Sequence, residues 1–383
     1  MHKLPGLRTG LGVITISLAF SAGAVPLAAQ DEPTPTRSTV PAEYIYAANQ
    51  GAHNVSGYRV DLETGKLTAL PGSPYQSGRF PVSIASSHDG RFVYATNQGS
   101  GTVSAYKINP ENGALQILPG SPYEVGVYPD AITITPDDRY VYVSSEDANL
   151  ITPYRVDNAT GALYRTGAPV ATGKHPIGIT VSPNGRFAFV SNFDDESVSS
   201  YLIDQNDGSL TPLKQIAKTD PHPIYISVSH DNQFMYVANY GTATVSAFHI
   251  DNRSGALTEV SGSPFVAGAQ PYSVTVDPSN RFVYVANWGS HNVSAFTMNR
   301  ETGGLTEIEG SPYATTWFPY AVVVDPKDQL AYVADNGNNT ISAFHIDPHS
   351  GALSQVAGSP FAAELGPYAL AITRAQTAAV KKN

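Results

Sequence analysis

His175 and His222 each stand immediately before a proline that opens a strand-like run, and they lie 47 residues apart. An imidazole changes charge near neutral pH, so a histidine at the lip of a pocket is suited to proton transfer. At related positions in the chain lie Arg79 and Lys174, either of which could hold an anion, and the carboxylates Asp130, Glu146, Asp147, Asp194 and Asp195. Together these residue types describe a polar pocket with His175 or His222 as general base. The competing reading is that loop residues drift wherever a fold asks for no particular side chain. Asp194-Asp195-Glu196 reads as a solvated acidic loop rather than a cation site, and neither a metal nor a cofactor is expected. Tyr272, Tyr320 and Tyr368, with Trp317, could floor a sugar-binding site or could pack one repeat against the next.

The elements that would carry these residues are repeats. Asn49, Asn97, Ser145, Asn192, Asn239, Asn287 and Asp335 hold one place in seven near-copies, at intervals of 47 or 48 residues. In the copy starting at Pro271, Pro271 to Val276 alternates with period two and is rich in β-branched and aromatic residues, which predicts a strand. Asp277-Pro278-Ser279-Asn280 is turn chemistry. Arg281 to Asn287, Val293 to Met298 and Leu305 to Ile308 predict three more strands, and Gly310-Ser311-Pro312-Tyr313 is expected to begin the crossing to the next copy. Four short strands in a repeat of this length predict a blade of an all-β, seven-bladed β-propeller. The first-strand pattern recurs at Pro81, Pro129, Pro176, Pro223, Pro271, Pro319 and Pro367, whereas the second-strand pattern starts earlier, at Glu43. The C-terminal strand should therefore complete the N-terminal blade and close the ring, removing two open sheet edges. In such a blade the loop leading into the first strand and the loop between strands two and three emerge on one face. The variable ionisable residues of the second to fifth blades fall in or beside those loops, on one rim of the ring.

The net charge is −10 and the basic residues are scattered, which argues against nucleic acid and anionic membranes as partners. The chain has no Cys, which excludes disulfides, thiolate metal sites and a Cys nucleophile. There is no Gly-x-Ser-x-Gly elbow, no His-Glu-x-x-His and no phosphate-cradling Gly-Lys-Ser/Thr loop, so those hydrolase and nucleotide-binding chemistries lack support. His2, Lys3 and Arg8 precede an apolar stretch from Leu11 to Leu27 and small residues at Ala28-Ala29, the layout of a secretory signal. The expected organisation is a signal peptide over 1–30, a Pro/Thr-rich leader over 31–42, the propeller over 43–374 and a disordered tail over 375–383. A periplasmic or secreted location follows, with no membrane attachment once the signal is cleaved.

Tyr-Val-Ala-Asn-Tyr/Trp-Gly, followed by Val-Ser-Ala-Phe and preceded by Asp/Ser-Pro-x-Asn/Gly-Arg-Phe, resembles the YVTN-type seven-bladed propellers. It resembles especially the lactonase family that includes propeller-type 6-phosphogluconolactonases and carboxymuconate-cyclising enzymes. The run His222-Pro223-Ile224-Tyr225-Ile226-Ser227-Val228, leading to Val237-Ala238-Asn239-Tyr240-Gly241, is the best local match. The resemblance implies a site near His222 and Tyr225 and, by blade adjacency, His175. Glu146 sits where some members carry an Asn-Glu pair, with Ser145 in place of the Asn. Ala269-Gln270-Pro271-Tyr272 departs from the family's Pro-His-x-His run. Under this reading His222 or His175 activates water against a lactone carbonyl, Arg79 or Lys174 stabilises the oxyanion, and Asp130, Glu146, Tyr225 and Trp317 contact substrate. An exported chain would meet an unphosphorylated sugar lactone or another carbohydrate rather than a cytosolic phosphate ester. The alternative is a non-catalytic surface or periplasmic propeller that displays its loops to a protein or cell-wall partner.

Overall fold

The computed structural model describes residues 42–374. The expected signal peptide, the leader up to residue 41 and the tail from 375 lie outside them. Seven antiparallel sheets make up the described chain. Blade 2 is typical: Pro81–Ser86 is innermost, followed outward by Phe92–Asn97, Thr102–Ile108 and Leu115–Ile117. Blades 3 to 7 begin at Pro129, Pro176, Pro223, Pro271 and Pro319. Second strands such as Phe282–Asn287 are buried along their whole length, because each blade is pressed between two others. Their sequences are accordingly mostly apolar up to the closing Asn, Ser or Asp. A three-residue 3-10 turn at Asn336–Asn338 is the one helical element among the described residues, and no described helix is long and apolar enough to cross a membrane.

Closure follows the expected pattern. Pro367–Arg374 pairs antiparallel with Glu43–Asn49, Tyr44 facing Thr373 and Tyr46 facing Ala371. Arg374 Nε meets the buried carboxylate of Glu43 at 2.8 Å. The outer edge departs from expectation. Tyr313–Ala314 does not leave for the next blade but returns to pair with Asn292–Met298, beside Leu305–Glu307. The Gly-Ser-Pro segment is thus a bulge inside a split outer strand, pinned where Ser311 Oγ accepts the Ala295 N–H at 3.0 Å. Blade 4 has no such segment and keeps one continuous outer strand, Leu210–Lys218.

Adjacent blades are joined by one repeated bond. Tyr284 of blade 6 donates its hydroxyl to the Gly351 carbonyl of blade 7 at 2.9 Å. Tyr46, Tyr94, Tyr142 and Tyr236 do the same toward Gly113, Gly161, Gly208 and Gly303, and Tyr332 reaches Gly65 across the closure. Blade 4 has Phe189 in this place. The repeat-marking Asn residues are clamps within a blade: Asn287 Nδ2 donates to Asn292 Oδ1 and Ser294 Oγ, at 2.8 and 2.9 Å. Their periodicity therefore reports structure.

Candidate functional site at the channel mouth

One backbone device builds the mouth seven times. The residue before each inner-strand proline is left-handed, with φ of 48° at Tyr128, 58° at His175 and 59° at His222. Its carbonyl accepts the N–H of the residue that follows the repeat-marking position: Glu146 N on Tyr128 O, Phe193 N on His175 O and Tyr240 N on His222 O, at 2.9 to 3.0 Å. A left-handed backbone is costly for a bulky side chain unless its surroundings hold it. Here the preceding blade helps, with Asn149 Oδ1 accepting the His175 N–H at 2.7 Å. In each blade, then, two side chains from opposite ends of a strand pair are brought to the mouth.

In blades 2 to 5 those side chains form one cluster. The His175 ring is engaged at both nitrogens, Nε2 by Glu146 Oε1 and Nδ1 by Asp194 Oδ2, the latter at 3.2 Å. The second oxygen of Glu146 accepts from Gln98 Nε2 at 3.0 Å, and the same amide reaches Asp130 Oδ2 at 3.3 Å. Asp130 is 5% exposed. Burial, and then the Glu146 charge and hydrogen bond, push the Asp130 carboxyl well above the usual range, which favours its protonated form. Burial alone would lower the His175 pKa, but the hydrogen bonds and charges of Glu146 and Asp194 together outweigh it and raise it. The imidazolium is favoured there, which suits His175 to holding charge more than to accepting a proton. His222 stacks on Phe193 with ring centroids 4.3 Å apart, and its buried Nδ1 has no hydrogen-bond partner.

Below the mouth, tyrosines from four blades meet. Tyr320 lies 4.5 Å from Tyr272 and 4.3 Å from Tyr368, and Tyr225 lies 5.7 Å from Tyr272. The Tyr272 and Tyr368 hydroxyls are hydrogen-bonded to each other, whereas the buried Tyr225 hydroxyl has no partner. Burial pushes the Tyr225 phenol well above its usual range, favouring the neutral form. A cavity of about 190 Å³ occupies the channel, lined by Tyr225, Tyr368 and aliphatic residues of the inner strands such as Ile132 and Val274.

The expected residues separate into three groups. Asp130, Glu146 and His175 form a hydrogen-bonded cluster, with His222 beside it across Phe193. Arg79 and Lys174 are exposed: the Arg79 guanidinium lies over Phe80, and neither takes part in an ion pair among the described residues. Trp317, 60% exposed, stacks on His291 away from the carboxylates. Sequence reading missed Gln98, although it occupies in blade 2 the place that Glu146 occupies in blade 3, and passed over Asp194 as a solvated loop. Among the described residues no group of three or more His, Cys, Asp or Glu is arranged to hold a metal ion.

The sequence model for "Lactonase, 7-bladed beta-propeller" matches residues 70–177, 115–225, 168–271 and 262–364. The chain belongs to that lactonase family. Solved propellers similar to this lactonase-family chain include a proposed 6-phosphogluconolactonase from Bacteroides fragilis, 20% identical with TM-score 0.77, covering 89% of this chain and 100% of that one. A counterpart from Bacteroides uniformis is 17% identical with TM-score 0.77, covering 87% and 100%. The periplasmic gluconolactonase PpgL of Pseudomonas aeruginosa is 18% identical with TM-score 0.75, covering 87% and 99%. At such identities the likeness shows the shared fold. Among curated proteins none matches the chain in sequence.

Proposed function

We propose that this lactonase-family propeller hydrolyses a neutral sugar-type lactone at the mouth between blades 3 and 5, outside the cytoplasm. The observation that carries the reading is the convergence of Asp130, Glu146, His175 and His222, with Tyr225, from three consecutive blades. His222 takes a proton as water attacks the ring carbonyl carbon. The neutral Asp130 carboxyl and Tyr225 hydroxyl donate hydrogen bonds to the developing oxyanion, and a proton returns to the ring oxygen as the acyl C–O bond breaks. Glu146 and Asp194 hold His175 as a cation and fix its ring. Arg79 and Lys174, at the outer margin, face the carboxylate product. Glu146 and Asp194 would repel a phosphate, which favours an unphosphorylated lactone. The apolar stretch from Leu11 to Leu27 supports export, and PpgL offers a periplasmic analogy.

A pH-indicator assay tests this with gluconolactone, galactonolactone, an acyl-homoserine lactone and 6-phosphogluconolactone. Turnover of an unphosphorylated sugar lactone is expected, falling about 10²- to 10⁴-fold in His222→Ala. Undiminished turnover in that variant would remove His222 from the chemistry. The tyrosine floor, which narrows the channel below the mouth, favours a second reading in which the rim binds without reacting. Absence of turnover on every lactone, from folded wild-type protein, would select it.

A further inference from the structure

The rim changes character between blades 5 and 7. There the rings of Tyr240, Trp288, Phe318, His291 and Trp317 follow one another. Tyr240 to Trp288 is 6.1 Å, Trp288 stacks on Phe318 at 4.6 Å, Phe318 meets His291 at 4.9 Å and His291 stacks on Trp317 at 5.5 Å. Trp317 is stacked within 11° of parallel on His291 yet remains 60% exposed, so one indole face is covered and the other is open. The rim loops over 240–243, 267–270, 288–291, 315–318 and 336–339 contain no Asp, Glu, Lys or Arg. They supply aromatic faces and the side-chain amides of Gln270 and Asn336, while the hydroxyls of Ser290 and Thr316 are bonded to Ala269 N and Thr340 Oγ1 within the rim.

We propose that this arc is a platform for neutral oligosaccharide. A pyranose ring has one face of C–H groups that packs on an aromatic face and an equator of hydroxyls that seek uncharged amides and hydroxyls. The loops that flank the arc carry the carboxylates Asp220, beside Thr242, and Glu364, which disfavour an anionic ligand. Through Tyr240, 6.1 Å from Tyr272, and Tyr225 beyond it, the arc joins the region of the carboxylate cluster. Saccharide rings on the arc would thus lead to a terminal lactone at the cluster. That last step rests on the hydrolysis proposed above; binding to the arc does not.

The protein has two tryptophans, Trp288 and Trp317, both on this arc, so fluorescence excited selectively at tryptophan reports on the platform. Titration with cellotetraose and maltotetraose should give a saturable change for at least one of them. Calorimetry on Trp317→Ala, an exposed substitution checked for fold by circular dichroism, should show affinity about tenfold weaker, with Trp317→Phe recovering part of it. The proposal is overturned by no saturable change up to tens of millimolar, by undiminished affinity in Trp317→Ala, or by equal binding of an uncharged apolar peptide. A chain inactive on every lactone that still binds tetrasaccharide defeats the hydrolysis and leaves the platform; a chain active on gluconolactone that binds no tetrasaccharide does the reverse.

Discussion

Asp335→Asn should stabilise the propeller in a pH-dependent way. Five of the other six second strands end in Asn at this position, and each gives Nδ2 to the Ser hydroxyl seven residues on, as Asn97 does to Ser104 at 2.9 Å. Asp335 is fully buried. It accepts from Ser342 Oγ at 2.6 Å and leaves Oδ1 without a partner. Burial, only partly offset by hydrogen bonds from Ser342 and the Thr316 region, raises its pKa from 3.8 to about 6. An acid whose folded pKa lies above its unfolded value binds protons more tightly when folded, so ionising it costs stability. Below pH 3.8 the cost is absent; it grows as pH rises toward about 6 and is complete above that. At about 1.4 kcal/mol per pH unit, that interval amounts to roughly 3 kcal/mol. An Asn would donate to Ser342 and to Thr340, as Asn239 does to Ser246 and Thr244, without any charge to bury. Urea unfolding of both proteins at about pH 4, 6 and 8 measures the effect. The gain should be small at the lowest pH and approach the full value at the highest. An equal gain at all three, or a loss at the highest, would refute the reasoning.

Two further outcomes follow from the geometry. Gly303 has φ of +75°, and a Cβ there would lie 2.3 Å from Phe234 of blade 5, so Gly303→Ala should cost about 2 kcal/mol or more in unfolding experiments. Gly304→Ala next to it, with nothing nearer than 3.5 Å, should change little. Glu146→Gln removes the strongest support for the His175 cation. Because a raised histidine pKa contributes stability below its ordinary 6.5 and loses it as pH rises through the folded value, the variant should weaken that contribution, and NMR titration of the ring should show its pKa lowered.

The fold was legible because the blades leave the same marks seven times, turn residues at fixed offsets and mostly apolar second strands, and because the pattern begins on one strand and ends on another. The split outer strand was not, since Gly310-Ser311-Pro312-Tyr313 has the composition of a connection, and only pairing to Asn292–Met298 shows that the chain returns. The rim was legible for the opposite reason, as the set of positions where the copies disagree. What the sequence could not convey was who touches whom. Glu146 and His175 are 29 residues apart and meet only because the blade 3 bridge, Glu146 N to Tyr128 O, stands beside the blade 4 bridge, Phe193 N to His175 O. Without that contact, His175 and His222 look alike; with it, one is held at both ring nitrogens by carboxylates, and the other has a ring nitrogen to spare. Tyr225 carried a signal of its own, as the one aromatic residue at an inner-strand position that elsewhere holds Ser, Ala or Gly.

The scaffold also explains how seven near-copies can host an asymmetric site. Blade-to-blade cohesion rests on the Tyr-to-Gly bonds and the buried second strands, and cohesion within blades on the Asn clamps. Side chains before the inner-strand proline and after the clamp are held in place by backbone bonds such as Tyr240 N to His222 O. Such bonds form whatever the side chain, so Phe80, His175, His222, Gln270 and Phe318 share one left-handed conformation with entirely different chemistry. Substitution there alters what the mouth presents without disturbing what closes the ring. Carboxylates and imidazoles could therefore gather in blades 3 to 5 and uncharged aromatic rings in blades 5 to 7, each at little cost to the fold.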